Sequence, residues 1–142
     1  MSTNSTISVQ HKDGSISSAY CHWDGYPSNQ SPLLLGFYNG LEQAELLVSG
    51  GSLSRLAEKV SPDPGDAHSF ESPQDDVCIY YGRDRGETDI HCKVYDTLKD
   101  YQAYNDFQEF NYLFSEGHWW LVDQKNGPQL LSEFDVTTEW ED

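Results

Sequence analysis

Cys21-His22 and His91-Cys92 form a mirrored pair in this chain, with Cys78 and His118 as further donors of the same kinds. Thiolate sulfur and imidazole nitrogen are the common ligands of zinc, and a site needs three or four of them to converge. The spacing argues against that. There is no Cys-x-x-Cys and no His-x-x-x-His, and neighbouring residues of a strand point to opposite faces, so each pair offers one ligand per face. The same residues could instead serve a thiol enzyme, with Cys21 or Cys92 as nucleophile, a histidine as base and Asp24 or Asp89 to orient it. Few basic residues are present to depress a thiol pKa. Three cysteines, an odd number, with no secretory signal expected from the opening residues, point to buried free thiols and not to a disulfide framework. No phosphate-cradling glycine loop, no Gly-x-Ser-x-Gly and no His-Glu-x-x-His occurs. The expectation is no metal, no cofactor and no catalytic residue. The alternative is a small metal-dependent or cysteine enzyme around Cys21, His22, His91 and Cys92.

Carboxylates are the other chemistry on offer. Asp and Glu number 24 against 8 Lys and Arg, a net charge of −16. The excess is lopsided. Residues 1–60 carry five carboxylates against Lys12, Arg55 and Lys59, whereas residues 61–142 carry nineteen against Arg83, Arg85, Lys93, Lys99 and Lys125. Such self-repulsion opposes a compact state, so a domain that keeps it is expected to use the field, for a basic partner or for solubility alone. Direct nucleic-acid binding is disfavoured, because phosphates need Lys or Arg to release counterions. The reverse relation fits better: Asp96, Asp100, Asp106 and Glu109 are spaced so that they could stand in for phosphates. Asp75, Asp76, Asp84, Glu87 and Asp89 form a second set.

These residues need a scaffold, and the patterning predicts one α+β domain over residues 1–142. Residues 6–11 and 15–23 read as strands joined by a turn at Lys12-Asp13-Gly14. Residues 24–29 read as a break, and 33–38 as a strand or extended lead-in. Asn39 with Glu42 suggests a helix start and Gly50-Gly51 its stop, with Leu41, Ala44, Leu47 and Val48 at helical spacing. A second short helix is expected from Ser52, burying Leu53, Leu56, Ala57 and Val60. Residues 61–76 read as a flexible acidic loop, 77–81 and 88–95 as strands, and 97–107 as a helix with Leu98, Tyr101 and Tyr104 inward. Residues 109–115, 117–124 and 129–134 read as a meander. The sum is a mainly antiparallel sheet with two to three short helices on one face. The longest apolar runs are too short to span a bilayer and an acidic surface is repelled by anionic headgroups, so the expected location is the cytoplasm, away from membranes.

Residues 6–35, and above all Tyr20-Cys21-His22-Trp23-Asp24-Gly25-Tyr26-Pro27, resemble the opening of small phage and prophage proteins. The resemblance covers the first quarter of the chain and brings no catalytic residues with it. It implies a mobile-element accessory protein working in the host cytoplasm. Together with net −16, it is similar to acidic anti-defence proteins such as anti-CRISPR and anti-restriction inhibitors that imitate nucleic acid. The expectation is a non-enzymatic inhibitor occupying a basic groove of a CRISPR effector or a restriction or repair nuclease. An acidic phage accessory protein with no mimicry remains the plainer reading.

Overall fold

Alternating small and β-branched residues on either side of Asp13-Gly14 build the first hairpin. In the computed structural model, which describes residues 3–88, 90–123 and 125–139, β1 (Ser5–Gln10) pairs antiparallel with β2 (Ile16–Cys21). Gly14, at φ 92°, supplies the left-handed turn residue. The pleat sends Ile7, Val9, Ala19 and Cys21 to one face, where all are buried, and Thr6, Ser8 and Ser18 to the other.

Around this hairpin the described residues form an eight-stranded sheet in the order β4-β3-β2-β1-β6-β7-β8, with β5 on the same edge of β2 as β3. The added strands are β3 (Leu53–Arg55), β4 (Ile79–Tyr80), β5 (Lys93–Tyr95), β6 (Phe110–Ser115), β7 (His118–Asp123) and β8 (Gly127–Leu130). Pairing is mostly antiparallel, as the patterning predicts, but β1–β6 and β2–β3 are parallel. Glu116 and Gly117, at φ 54° and 79°, close the β6–β7 hairpin with two left-handed residues. The last expected strand stops early, because Leu131–Glu133 winds into a 3₁₀ turn that buries Leu131.

Two helices cover the Ile7 face. The break expected at residues 24–29 instead starts α1 (Pro27–Phe37), which absorbs the apolar run at 33–38. Pro27 sits in the first turn, where its missing N–H costs nothing and its fixed φ suits a helix. Gln30, Ser31 and Leu34 then fall on one buried side. α2 (Leu41–Ser49) has Gly40 as its N-cap in place of Asn39, and buries Ala44, Leu47 and Val48 as the spacing requires. The helix expected after Ser52 is β3. Gly51, at φ 80°, turns the chain onto the sheet edge, and the N–H groups of His22 and Trp23 donate to Leu53 O and Ser54 O. Leu53, Leu56 and Ala57 are buried all the same. Their apolar pattern is satisfied by a sheet edge as well as by a helix.

Four large buried aromatics lock this core by donating to backbone carbonyls of other segments. Trp119 Nε1 donates to Tyr38 O (3.0 Å), Tyr38 OH to Ala57 O (2.7 Å), Tyr80 OH to Leu47 O (2.5 Å) and Tyr112 OH to Gly25 O (2.6 Å). Each ring is buried with its polar atom satisfied. Gly25 has no room for a side chain: a Cβ there would lie 2.8 Å from Ser5 Cβ and 2.9 Å from Thr3 O. The Trp23-Asp24-Gly25-Tyr26-Pro27 string is therefore a docked corner followed by a helix start.

The opposite face of the sheet is different. Its centre is polar, with Thr6 Oγ1 donating to Asn111 Oδ1 and Ser8 Oγ to Ser18 Oγ, both at 2.8 Å. α4 (Leu98–Tyr104) crosses it and inserts only Tyr101, beside a small apolar group of Ile16, Leu113 and Val122. Leu98 and Tyr104, expected inward, are 43% and 74% exposed. A two-turn helix over a polar surface has little to bury beyond one ring. Among the described residues, no helix is long and apolar enough to cross a membrane.

Candidate acidic interaction surface

α4 begins where the sequence places it. Thr97 is the N-cap, its Oγ1 accepting the Asp100 N–H at 3.0 Å. Asp100 sits in the first turn, where a negative charge suits the helix dipole. Asp96 precedes the cap and lies outside α4, whereas Asp100 lies within it. Asp106 and Glu109 follow α4 on the way into β6. All four flank or belong to one short element. Asp96, Asp106 and Glu109 are exposed and Asp100 half-buried. Asp106 is paired with Lys93 Nζ at 3.1 Å. Among the described residues, Asp96, Asp100 and Glu109 have no cation within ion-pair reach.

The second set divides. Asp75 is exposed and lines a shallow groove of about 230 Å³ with Asp24, Glu58 and Arg55. Carboxylates from the nearly neutral N-terminal half thus join one from the acidic half, a grouping that linear charge counts hide. Asp76 lies 3.4 Å from Lys59, and the exposed Glu87 lies 3.9 Å from Arg85. Asp89 lies outside the described residues. Asp84 is a correction: its side chain is only 4% exposed, so it is no surface carboxylate.

Asp84 is instead the centre of an anchor. It belongs to α3 (Tyr81–Arg85) and accepts the Tyr80 N–H at 2.8 Å and Arg83 Nε at 2.8 Å. Burial alone would raise its pKa; the Arg83 guanidinium, the Tyr80 amide and His68 outweigh that and hold it below the usual carboxylate range. Gln74 N–H donates to His68 Nδ1 at 3.0 Å, which leaves Nε2 to carry the proton toward Asp84 Oδ2, 3.3 Å away. Arg85 stacks on the Phe70 ring at 4.9 Å. The acidic loop at 61–76 has no regular structure, yet these contacts fasten it to α3.

A relay that the sequence does not reveal lies at the first hairpin. His11 Nδ1 is 2.5 Å from Glu45 Oε2 of α2, and its Nε2 is 2.8 Å from Ser17 Oγ of β2. The order serine, histidine, carboxylate matches a nucleophilic triad. Ser17 is buried, however, and the open groove of about 500 Å³ beside His11 is lined by Gln10, Lys12, Asn39 and Phe114, without Ser17. The relay ties the hairpin to α2. No sequence spacing could have found it, since 34 residues separate His11 from Glu45.

The Cys/His pairs do not come together. Cys21 is buried on the core face, where Gln30 Nε2 donates to its sulfur at 3.3 Å and burial pushes its thiol up to about 12. His22 points the other way, its Nδ1 2.7 Å from Tyr20 OH. Burial also raises the Cys78 thiol, which takes the Ala57 N–H at 3.2 Å. Cys92 is half-buried against the core, His91 is exposed, and His118 stacks edge-on to Trp120 at 6.3 Å. Among the described residues, no three His, Cys, Asp or Glu side chains are placed to hold a metal ion. No protein-family model, curated protein or solved structure matches this chain.

Proposed function

We propose that this protein is a non-enzymatic inhibitor that grips a basic, nucleic-acid-binding groove of a partner protein through the acidic surface around α4. The observation that carries the reading is the set of carboxylates at Asp96, Asp100 and Glu109 which, among the described residues, have no cation within ion-pair reach, on a chain of net charge −16. Nucleic acid presents one phosphate about every 3.4 Å per strand, and carboxylates carried on and beside α4 offer a partner's Lys and Arg similar acceptors. The resemblance of the first quarter of the chain to phage proteins suggests the class of partner: a host CRISPR effector or a restriction or repair nuclease, met in the host cytoplasm. Burial raises the Cys21 thiol, which weighs against Cys21 as the nucleophile of a cysteine enzyme.

Capture of partners from a bacterial extract on the immobilised protein, followed by a challenge with double-stranded DNA, tests the proposal. Release of a nucleic-acid-binding protein by the DNA is the expected result. A stable ternary complex that keeps DNA in the partner's groove would rule out mimicry.

A further inference from the structure

The polar face of the sheet opens into a small hollow of about 80 Å³ beside the end of α4, and every residue that lines it is polar. Thr6, Ser18 and Asn105 are its most buried members, at 4%, 6% and 7% exposure. The hydrogen bonds around them have fixed directions. Gln108 N–H donates to Asn111 Oδ1 at 2.9 Å and Asn111 Nδ2 donates to Gln108 O at 3.0 Å, which settles the sense of the Asn111 amide. Thr6 Oγ1, 2.8 Å from that Oδ1, must give its proton to it. It can therefore only accept from Asn105, whose Nδ2 reaches it at 3.5 Å. Asn105 Oδ1 is left over. Among the described residues nothing donates to it, although the side chain is buried. Gln108 Nε2 donates to Asp106 O at 3.0 Å, and Gln108 Oε1 likewise receives no donor. A buried amide oxygen left without a donor is costly, so the hollow is built to be filled.

The lining itself selects the occupant. Asp106 belongs to it and lies 3.1 Å from Lys93 Nζ, which lines the hollow too. Their side chains are 75% and 62% exposed, so the chain already places a cation at the mouth, in a surface pair of little strength. His91, the other basic residue of the lining, is exposed. The volume is that of two or three waters at about 30 Å³ each, well short of the roughly 150 Å³ that takes a benzene ring. A guanidinium group suits this space: it is flat and offers a fork of N–H donors to several acceptors at once, where an ammonium is a compact point charge. A net charge of −16 favours a cation over an anion. We infer that the hollow receives the guanidinium of one arginine from the partner's basic groove. Asn105 Oδ1 and Gln108 Oε1 accept from it, and Asp106 exchanges Lys93 for it. The inference rests on the electrostatic reading above and adds a specificity element to it: charge brings many basic surfaces close, and one seated arginine distinguishes among them.

Two small probes of equal charge test this, N-acetyl-arginine amide and N-acetyl-lysine amide, titrated onto the isotope-labelled full chain. The side-chain amide signals of Asn105 and Gln108, followed by NMR, should shift saturably at millimolar arginine probe, with affinity at least about fivefold above that of the lysine probe. Lys93→Ala frees Asp106 and should tighten arginine binding about threefold. Lys99→Ala removes the same charge outside the lining and should change it far less. Asp106→Asn should weaken it. Equal affinities for the two probes, or equal gains from the two lysine variants, would mean that charge alone acts; either would overturn the socket and leave the charge-based function standing. Saturable shifts from glycerol or inorganic phosphate without an arginine response would assign the hollow to another ligand and overturn the inference. So would the absence of a saturable shift with every probe, which would make the hollow a water site only. Failure to capture any salt-sensitive partner would overturn the charge-based function, and the partner's arginine with it, even where the arginine probe binds.

Discussion

His68 and Asp84 face each other at 3.3 Å with side chains only 2% and 4% exposed, sixteen residues apart in the chain. One of them comes from the acidic loop and the other from α3, so this contact fixes a segment whose composition reads as mobile. Asp84 also takes the Tyr80 amide and the Arg83 guanidinium. Asp84→Ala leaves the Tyr80 N–H and the His68 Nε2–H without an acceptor and should cost about 2–3 kcal/mol. Chemical denaturation gives the cost, and limited proteolysis should show new cleavage within residues 61–76. A stability within 0.5 kcal/mol, roughly the scatter of surface substitutions, would mean the loop is fastened elsewhere.

The same contact sets a pH dependence. Asp84 has a lowered pKa in the fold. Its contribution is therefore complete above the unfolded Asp value of about 3.9 and is lost as pH falls through the lower folded value. Denaturation midpoints of wild type and Asp84→Asn should differ at pH 7 and converge on acidification below about 4. A gap that stays constant, or widens, would show that Asp84 gains nothing from its charge.

The hairpin at Asp13-Gly14, the buried stripe of α2 and the start of α4 near Thr97 follow from local chemistry, so they are legible in the chain. α1 is not, because a proline after Asp-Gly-Tyr has the same composition whether it ends a strand or opens a helix. β3 is misread for a related reason: Leu53, Leu56 and Ala57 suit either periodicity, and only pairing with β2 decides. Asp84 looks like any other acidic residue until His68 and the Tyr80 amide are brought to it. Asp96, Asp100, Asp106 and Glu109 belong to or flank α4 because they are close in sequence. The joining of Asp24 and Glu58 with Asp75 depends on tertiary contact and leaves no linear trace.

Thiol reactivity offers an independent check on the site. Cys21 and Cys78 are buried with raised pKa values, whereas Cys92 is half-buried. In the native protein at neutral pH a thiol reagent should modify Cys92 first, and the other two at the rate of unfolding. Native Cys21 reacting as fast as Cys92 would reopen the case for thiol chemistry.

Location of charge can be separated from its amount. Asp96→Lys with Asp100→Lys changes the net charge as much as Glu42→Lys with Glu133→Lys, but only the first pair lies at α4. The first should weaken partner binding at least about tenfold and the second far less. Both should cost stability modestly and to a similar extent, since each pair reverses one carboxylate in the first turn of a helix, worth about 0.3–1 kcal/mol, and one exposed charge that contributes little. Glu45 is unsuitable as a control because it holds His11. Equal losses from the two pairs would mean that net charge alone acts.

The salt dependence of binding to the captured partner tests the central claim most directly. Titrations between about 50 mM and about 500 mM monovalent salt should show affinity falling by at least about tenfold, with competing double-stranded DNA losing ground in parallel. Affinity that holds steady across that range would contradict an electrostatic grip on a basic groove.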